Sequence, residues 1–164
     1  NVLTKGKVGM IKKILDYLII KNKTISFAES CTGGNLSVSI TKIPGASKVF
    51  NGSIVSYSKY SKEKIIGIEK HEIDAFSSVS KEIAIKMAKK VKEKFNSDYS
   101  IAVTGNAGPG TDGPGSFVGD CFIAVSSKSE IFCEKYNFVS SREDFIKIVT
   151  DNSFKLFVDK IINQ

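Results

Sequence analysis

Tryptophan is absent from the 164 residues, histidine occurs once, and there are only three cysteines, three prolines and two methionines. Each shortage excludes something. With His71 alone, no multi-histidine metal site can form, and a Ser-His-Asp triad could use only that residue. His71 lies in the polar run GIEKHEID and reads as a surface residue. Cys31, Cys121 and Cys133 form no CxxC pair, and an odd count without motif spacing argues against a disulfide framework and against zinc. No run of about 18 apolar residues exists, so no membrane span is predicted. The opening NVLTKGKVGM is basic, but no signal-type apolar stretch with a cleavage site follows, which predicts a cytoplasmic protein with no membrane partner. Arginine is nearly missing too: of 24 basic residues, Arg142 alone is arginine. The net charge of +7 invites a nucleic-acid reading. The lysines, however, are spread along the chain, without an arginine-rich patch or a nucleic-acid motif. The charge reads as a bias toward Lys, Ile and Asn, and nucleic acid is not the expected partner. Such a field still attracts phosphorylated ligands.

What is present describes an ordinary globular chain, 41% apolar and 25% charged. The length predicts one domain over 1–164, large enough for a core without staples. Val8, Ile11, Ile14, Leu15, Leu18 and Ile19 follow helical spacing, predicting a helix over about 8–21. ISFAE (25–29) reads as a short strand. NLSVSITKI (35–43) reads as a helix ended by Pro44-Gly45. VFNGSIVSYS (49–58) is a strand, and KYSKEKIIGI a short helix. Ser80 caps a helix with Ile83, Met87, Val91 and Phe95 on one face and Ala84 and Ala88 beside them. DYSIAVTG (98–105) is a strand running into a glycine-rich loop. VGDCFIAVSS (118–127) and EIFCEKYNF (130–138) form a hairpin joined near Lys128-Ser129. A last helix starts near Ser141, buries Phe145, Ile148, Val149, Leu156 and Phe157, and has capping-box-like spacing to Asp144. The order α β α β α α β β β α predicts an α/β/α sandwich, three layers around a mixed sheet of about five strands.

Three segments follow predicted strands: AESCTGG, SYSKYSK and TGNAGPGTDGPGS. If those strands are parallel, the segments converge at their carboxyl ends, where open α/β sheets gather ligands. TGNAGPGTDGPGS (104–116) is too rich in glycine and proline for helix or strand. It reads either as an anion cradle or as a plain surface loop, and it is neither a Walker motif nor a dinucleotide fingerprint. Ser30 is either a nucleophile or a helix cap. With histidine scarce, a base for it must be lysine or an acid, and a Ser-Lys pair needs a lysine of lowered pKa. SYSKYSK supplies Tyr57, Lys59 and Lys62. Cys31 is an alternative nucleophile, or a small buried apolar residue.

The sequence resembles the CinA family, in particular the C-terminal domain of competence-damage-inducible proteins, which also occurs alone as nicotinamide-nucleotide amidase. The anchors are AESCTGG (28–34), IPGAS (43–47), SIVSYSKYSK (53–62), SSVS (77–80), TGNAGP (104–109) and VG (118–119). The resemblance implies a three-layer sandwich that hydrolyses the carboxamide of nicotinamide mononucleotide (NMN) to nicotinate mononucleotide and ammonia, in pyridine nucleotide salvage and NAD metabolism. It implies no metal and no cofactor, a small nucleotide as partner, and a homodimer. By motif, Ser30 is the nucleophile and Tyr57 and Lys62 activate it. Thr32, Gly33 and Gly34 lie around the oxyanion and the helix N-terminus, so that one set of N–H groups serves both. Thr104, Gly105, Ala107 and Gly108 line the nucleotide site, and Arg142 contacts phosphate or is a solvated residue of the first helical turn.

The chain departs from the family pattern in its glycine-rich loop. Asn106 stands where an apolar residue is usual, residues 110–117 are divergent, Ser116 and Phe117 replace a common Lys-Pro, and Asp120 replaces threonine. Lys59 replaces asparagine, and a second ammonium there would lower the pKa of Lys62 if it faced inward. A second reading is therefore a nucleotide-binding or interaction domain of the same fold without turnover. A third is nucleic-acid binding driven by charge, which predicts steep salt dependence and no need for Ser30.

Overall fold

The computed structural model describes residues 2–164, with side chains from residue 9 onward; the side chain of Val8 lies outside the described residues. The elements are α1 (Val2–Lys21), β1 (Ile25–Glu29), α2 (Asn35–Thr41), β2 (Phe50–Val55), α3 (Lys59–Ser61, running into a π turn Lys62–Ile66), α4 (Lys70–Phe76), α5 (Lys81–Phe95), β3 (Tyr99–Gly105), β4 (Asp120–Ser126), β5 (Ile131–Asn137) and α6 (Arg142–Phe157, with a π turn Val158–Ile162). The sheet order is β2-β1-β3-β4-β5. β2, β1 and β3 run parallel, and β4 and β5 are antiparallel additions. This is the expected mixed five-stranded sheet between two helical layers.

Sequence alternation along the strands sorts the layers. Phe27, Ile101, Val103, Ile123 and Val125 face α1, α2 and α6, joined by Ile14, Leu18, Leu36, Phe145, Phe154 and Phe157. The residues between them face α5 and are small. Ala28, Ala102 and Ala124 lie in register across three strands. Ser26, Ser100 and Ser126 form a parallel row. Small side chains on the sheet, with Ala84 and Ala88 on α5, let helix and sheet approach closely. The serines then reach the helix backbone: Ser100 Oγ donates to Ala88 O at 2.7 Å and Ser26 Oγ to Val91 O at 3.4 Å.

The sequence reading differs from the structure in three places. GIEKHEID, read as a polar surface run, contains helix α4, which inserts Ile73 while His71 stays exposed. With one apolar residue per turn, α4 has too narrow a stripe to register as periodic. Ile19, assigned to the buried face of α1, is exposed at its rim. Ile148 on α6 is only partly covered, and Phe154 takes its place in the core. Ser80 caps as expected, its Oγ accepting from Ile83 N at 3.2 Å; Ser141 Oγ accepts from Asp144 N at 3.2 Å, without the reciprocal bond of a capping box among the described residues. The three cysteines are free thiols. No described helix is long and apolar enough to cross a membrane.

Candidate active site

The parallel strands β2, β1 and β3 end on one edge, and the three segments behind them meet in a cleft of about 330 Å³. Ser30, Cys31, Tyr57, Lys59, Lys62, Thr104, Gly105, Ala107, Gly108 and Arg142 all line it. Ser30 is the first residue past β1. Its N–H extends the ladder by donating to Val103 O at 3.2 Å, which fixes where the side chain emerges.

Lys62 meets Ser30 directly. Its Nζ lies 2.8 Å from Ser30 Oγ, 2.7 Å from Ser56 O and 3.5 Å from Tyr57 O. Local structure explains the approach. Ser58 and Ser61 form a capping box that turns the chain, and the Lys62 N–H donates to Ser58 O at 3.1 Å. The lysine side chain is 1% exposed. Burial disfavours the ammonium and brings its pKa down to about 8, against the opposing pull of the Asp112 carboxylate. In the neutral amine, two N–H bonds can go to the two carbonyls, which leaves the lone pair directed at the Ser30 hydroxyl. That is the geometry of a serine with a lysine base. Cys31 is the weaker nucleophile here, since burial pushes its thiol up to about 12 and keeps it protonated.

Tyr57 stands outside this pair. Its ring is exposed, and its hydroxyl accepts from Arg142 Nη2 at 2.9 Å rather than meeting Ser30. Arg142 Nη1 also donates to Gly108 O, so the guanidinium ties β2's loop to the glycine-rich loop at the cleft wall. A proton relay through Tyr57 has no bonded path here. Lys59 likewise does not tune Lys62. It is largely in solvent, 3.7 Å from Asp112 Oδ1, and its charge is not among the causes of the Lys62 shift.

Thr32, Gly33 and Gly34 were expected around the oxyanion; none lines the cleft, and the two glycine N–H groups are already bonded, which leaves only the Thr32 N–H available for that role. The Gly33 N–H donates to Ser30 O at 3.1 Å, and the Gly34 N–H to Glu29 Oε1 at 3.2 Å. Thr32 Oγ1 also donates to Glu29 Oε1, at 2.7 Å. Among the described residues, the N–H groups of Cys31 and Thr32 donate to no oxygen; that of Cys31 lies against its own sulfur. The nucleophile turn and the helix start are therefore separate: α2 begins five residues after Ser30, and the N–H groups of Leu36 and Ser37 in its first turn serve Glu29.

Glu29 escaped the sequence reading. It is fully buried, and it also accepts from Leu36 N at 2.9 Å, Ser37 N at 3.0 Å and Ser37 Oγ at 2.6 Å. It anchors the turn that carries Ser30 to the start of α2. The only signal was an acidic residue closing an apolar strand.

The glycine-rich loop is held by its unusual residues. Asn106 Nδ2 donates to Ser116 Oγ and to Phe117 O, and its Oδ1 accepts from Asp112 N at 3.1 Å. Asp112 Oδ2 accepts from Ser78 N at 2.6 Å and Val79 N at 3.3 Å. Thr104 Oγ1 donates to Ser78 O at 2.6 Å. Gly105 has a steric role: a Cβ there would lie 2.7 Å from Cys121 Cβ and 2.9 Å from Asp120 O. Gly105→Ala is expected to destabilise the fold by roughly 1–3 kcal/mol, because β3 and β4 must separate. A urea midpoint within error of wild type would show that the pair relaxes without strain.

The family model described as CinA C-terminal domain matches residues 8–161. A CinA-like protein of Flavobacterium psychrophilum is 39% identical over 155 residues, covering 94% of this chain and 37% of the relative. One from Fervidobacterium nodosum is 42% identical over 149 residues, covering 91% and 36%. The chain thus spans little more than a third of these curated relatives. Among solved structures, a CinA superfamily protein from Enterobacter cloacae superposes with a TM-score of 0.90 at 27% identity, covering 94% of this chain and 91% of that one. A competence or damage-inducible protein from Enterobacter asburiae gives 0.90 at 25% identity, covering 93% and 96%.

Proposed function

The chain belongs to the CinA C-terminal domain family, and from that premise and the cleft we propose that it is a serine amidohydrolase that deamidates NMN. The observation that carries this reading is the buried contact of 2.8 Å between Lys62 Nζ and Ser30 Oγ at the end of an open cleft. A structural lysine would carry its charge to solvent or to an acid. This one is buried against a hydroxyl and two carbonyls.

In the proposed reaction, neutral Lys62 takes the Ser30 proton as Oγ attacks the carboxamide carbon. The N–H groups of Cys31 and Thr32 receive the oxyanion, which is usually a large part of the catalytic effect. The Lys62 ammonium then protonates the departing nitrogen, and the C–N bond breaks to release ammonia and leave an acyl-serine. Water, deprotonated by Lys62, attacks the ester and returns Ser30 and the nicotinate product. Arg142, already aimed across the cleft, keeps guanidinium N–H groups for the phosphate. Tyr57 acts as the wall that holds Arg142.

Lys62 gives the reaction a pH signature. The base must be neutral, so kcat/KM for ammonia release is expected to rise with pH and level off above an apparent pKa of about 8. A flat profile between pH 6 and 9 would remove Lys62 as the base. The direct test is ammonia release and nicotinate mononucleotide formation from NMN by the wild-type chain. A folded chain that binds NMN without turnover would favour the binding-domain reading.

A further inference from the structure

Building on the reading of an N-alkylated nicotinamide as substrate, we propose that Asp112 is a specificity-determining residue. Its free carboxylate oxygen faces the positively charged ring of the nucleotide and offsets the cations around it. Four charged side chains line the cleft: Lys59, Lys62, Arg142 and Asp112. Lys59 and Arg142 are cationic, Lys62 becomes so when it takes a proton, and Asp112 is the only acid among the lining residues. Cations suit a phosphate. They do not suit a pyridinium ring, whose carboxamide is bonded directly to it. When that carboxamide reaches Ser30, the ring charge comes within a few bonds of Lys62, which becomes an ammonium as the hydroxyl is deprotonated. Two cations in a partly dehydrated cleft repel strongly unless an anion stands near.

Asp112 is placed for this work. Oδ2 is fixed by the Ser78 and Val79 N–H groups. Its backbone N–H is fixed by Asn106, and Ser78 is fixed in turn by Thr104. Oδ1 makes no hydrogen bond among the described residues. Its nearest cation, Lys59 Nζ, is 3.7 Å away on a side chain 64% exposed, so water screens that pair. A neutral amide oxygen can still accept from the two N–H groups, though less strongly, so the geometry of the clamp does not require the charge. The charge does reach the reacting pair, since it acts on Lys62.

The test compares NMN with its reduced form, whose ring is neutral and whose ribose phosphate is the same. Affinities are measured by calorimetry on Ser30→Ala, which holds the amide uncleaved, and on Ser30→Ala combined with Asp112→Asn. The expected result is a loss of about 10-fold or more for the cationic form and a change within about 2-fold for the neutral form. Asp112→Ser, which keeps a short acceptor without charge, gives the same selectivity. Equal losses for both forms would make Asp112 a structural clamp and overturn the proposal, as would no loss for either. Wild-type turnover of NMN, assayed alongside, separates the two readings. Turnover with unselective variants removes only the role of Asp112. Absence of both turnover and binding removes the amidase reading, and this proposal with it.

Discussion

Ser30→Ala and Lys62→Met are each expected to lower ammonia release from NMN by at least about a thousandfold, and the double variant to be scarcely worse than either. The two residues act as one unit: a hydroxyl without its base is a poor nucleophile, and a base without the hydroxyl has nothing to activate. Additive losses would mean that each works in a separate step and would overturn the dyad. The two variants differ in stability. Folded Lys62 gives up its proton near pH 8, whereas an unfolded lysine holds it to about 10.5. Between those values the unfolded state binds more protons, so wild-type stability rises with pH across that window. Below it, the folded chain bears the burden of a buried ammonium. Lys62→Met removes that burden and should show no such rise in urea midpoints measured from pH 7.5 to 10. Ser30→Ala keeps it. A catalytic group that strains its own fold is the expected mark of a functional lysine.

Much of this site was legible because its motifs sit at strand ends. ISFAE and DYSIAVTG announce themselves by apolar content, and loops that follow such strands converge by topology. Convergence thus brought Ser30 to the segment that holds Lys59 and Lys62, and the resemblance to the CinA family picked Lys62, 32 residues away, as its partner. What failed was the reading of individual bonds. Tyr57 lies in the same short segment as Lys62, but sequence proximity says nothing about which way a hydroxyl points, and Arg142, 85 residues away, captures it. Lys59 looked like a neighbour of Lys62, yet Asp112 draws it to the rim. The glycines of ESCTGG looked like oxyanion donors. Their N–H groups were already committed, one to Ser30 O and one to a carboxylate that composition gave no reason to bury. Charged residues are almost never fully buried, so Glu29 was invisible until its partners were seen.

That carboxylate carries the second large effect. Glu29→Ala is expected to destabilise the fold by about 3–5 kcal/mol, among the largest single-residue effects available outside the apolar core. Five donors converge on the two oxygens: the hydroxyls of Thr32 and Ser37 and the N–H groups of Gly34, Leu36 and Ser37. Alanine removes the acceptor of the Thr32 hydroxyl and of three N–H groups in a largely buried turn, while Ser37 Oγ keeps Ser53 Oγ at 2.6 Å, and unmade buried bonds are costly. Glu29→Gln is no rescue, because it turns one acceptor into a donor facing donors. Both variants should also lose turnover at temperatures where they remain folded, since the turn they loosen holds Ser30 against Lys62. A urea midpoint shifted by less than about 1 kcal/mol for Glu29→Ala would show that the turn satisfies its donors in another way. The activity of such a variant would then report on Ser30 placement alone. Retained turnover would mean that the ladder bond from Ser30 N to Val103 O is enough to aim the nucleophile.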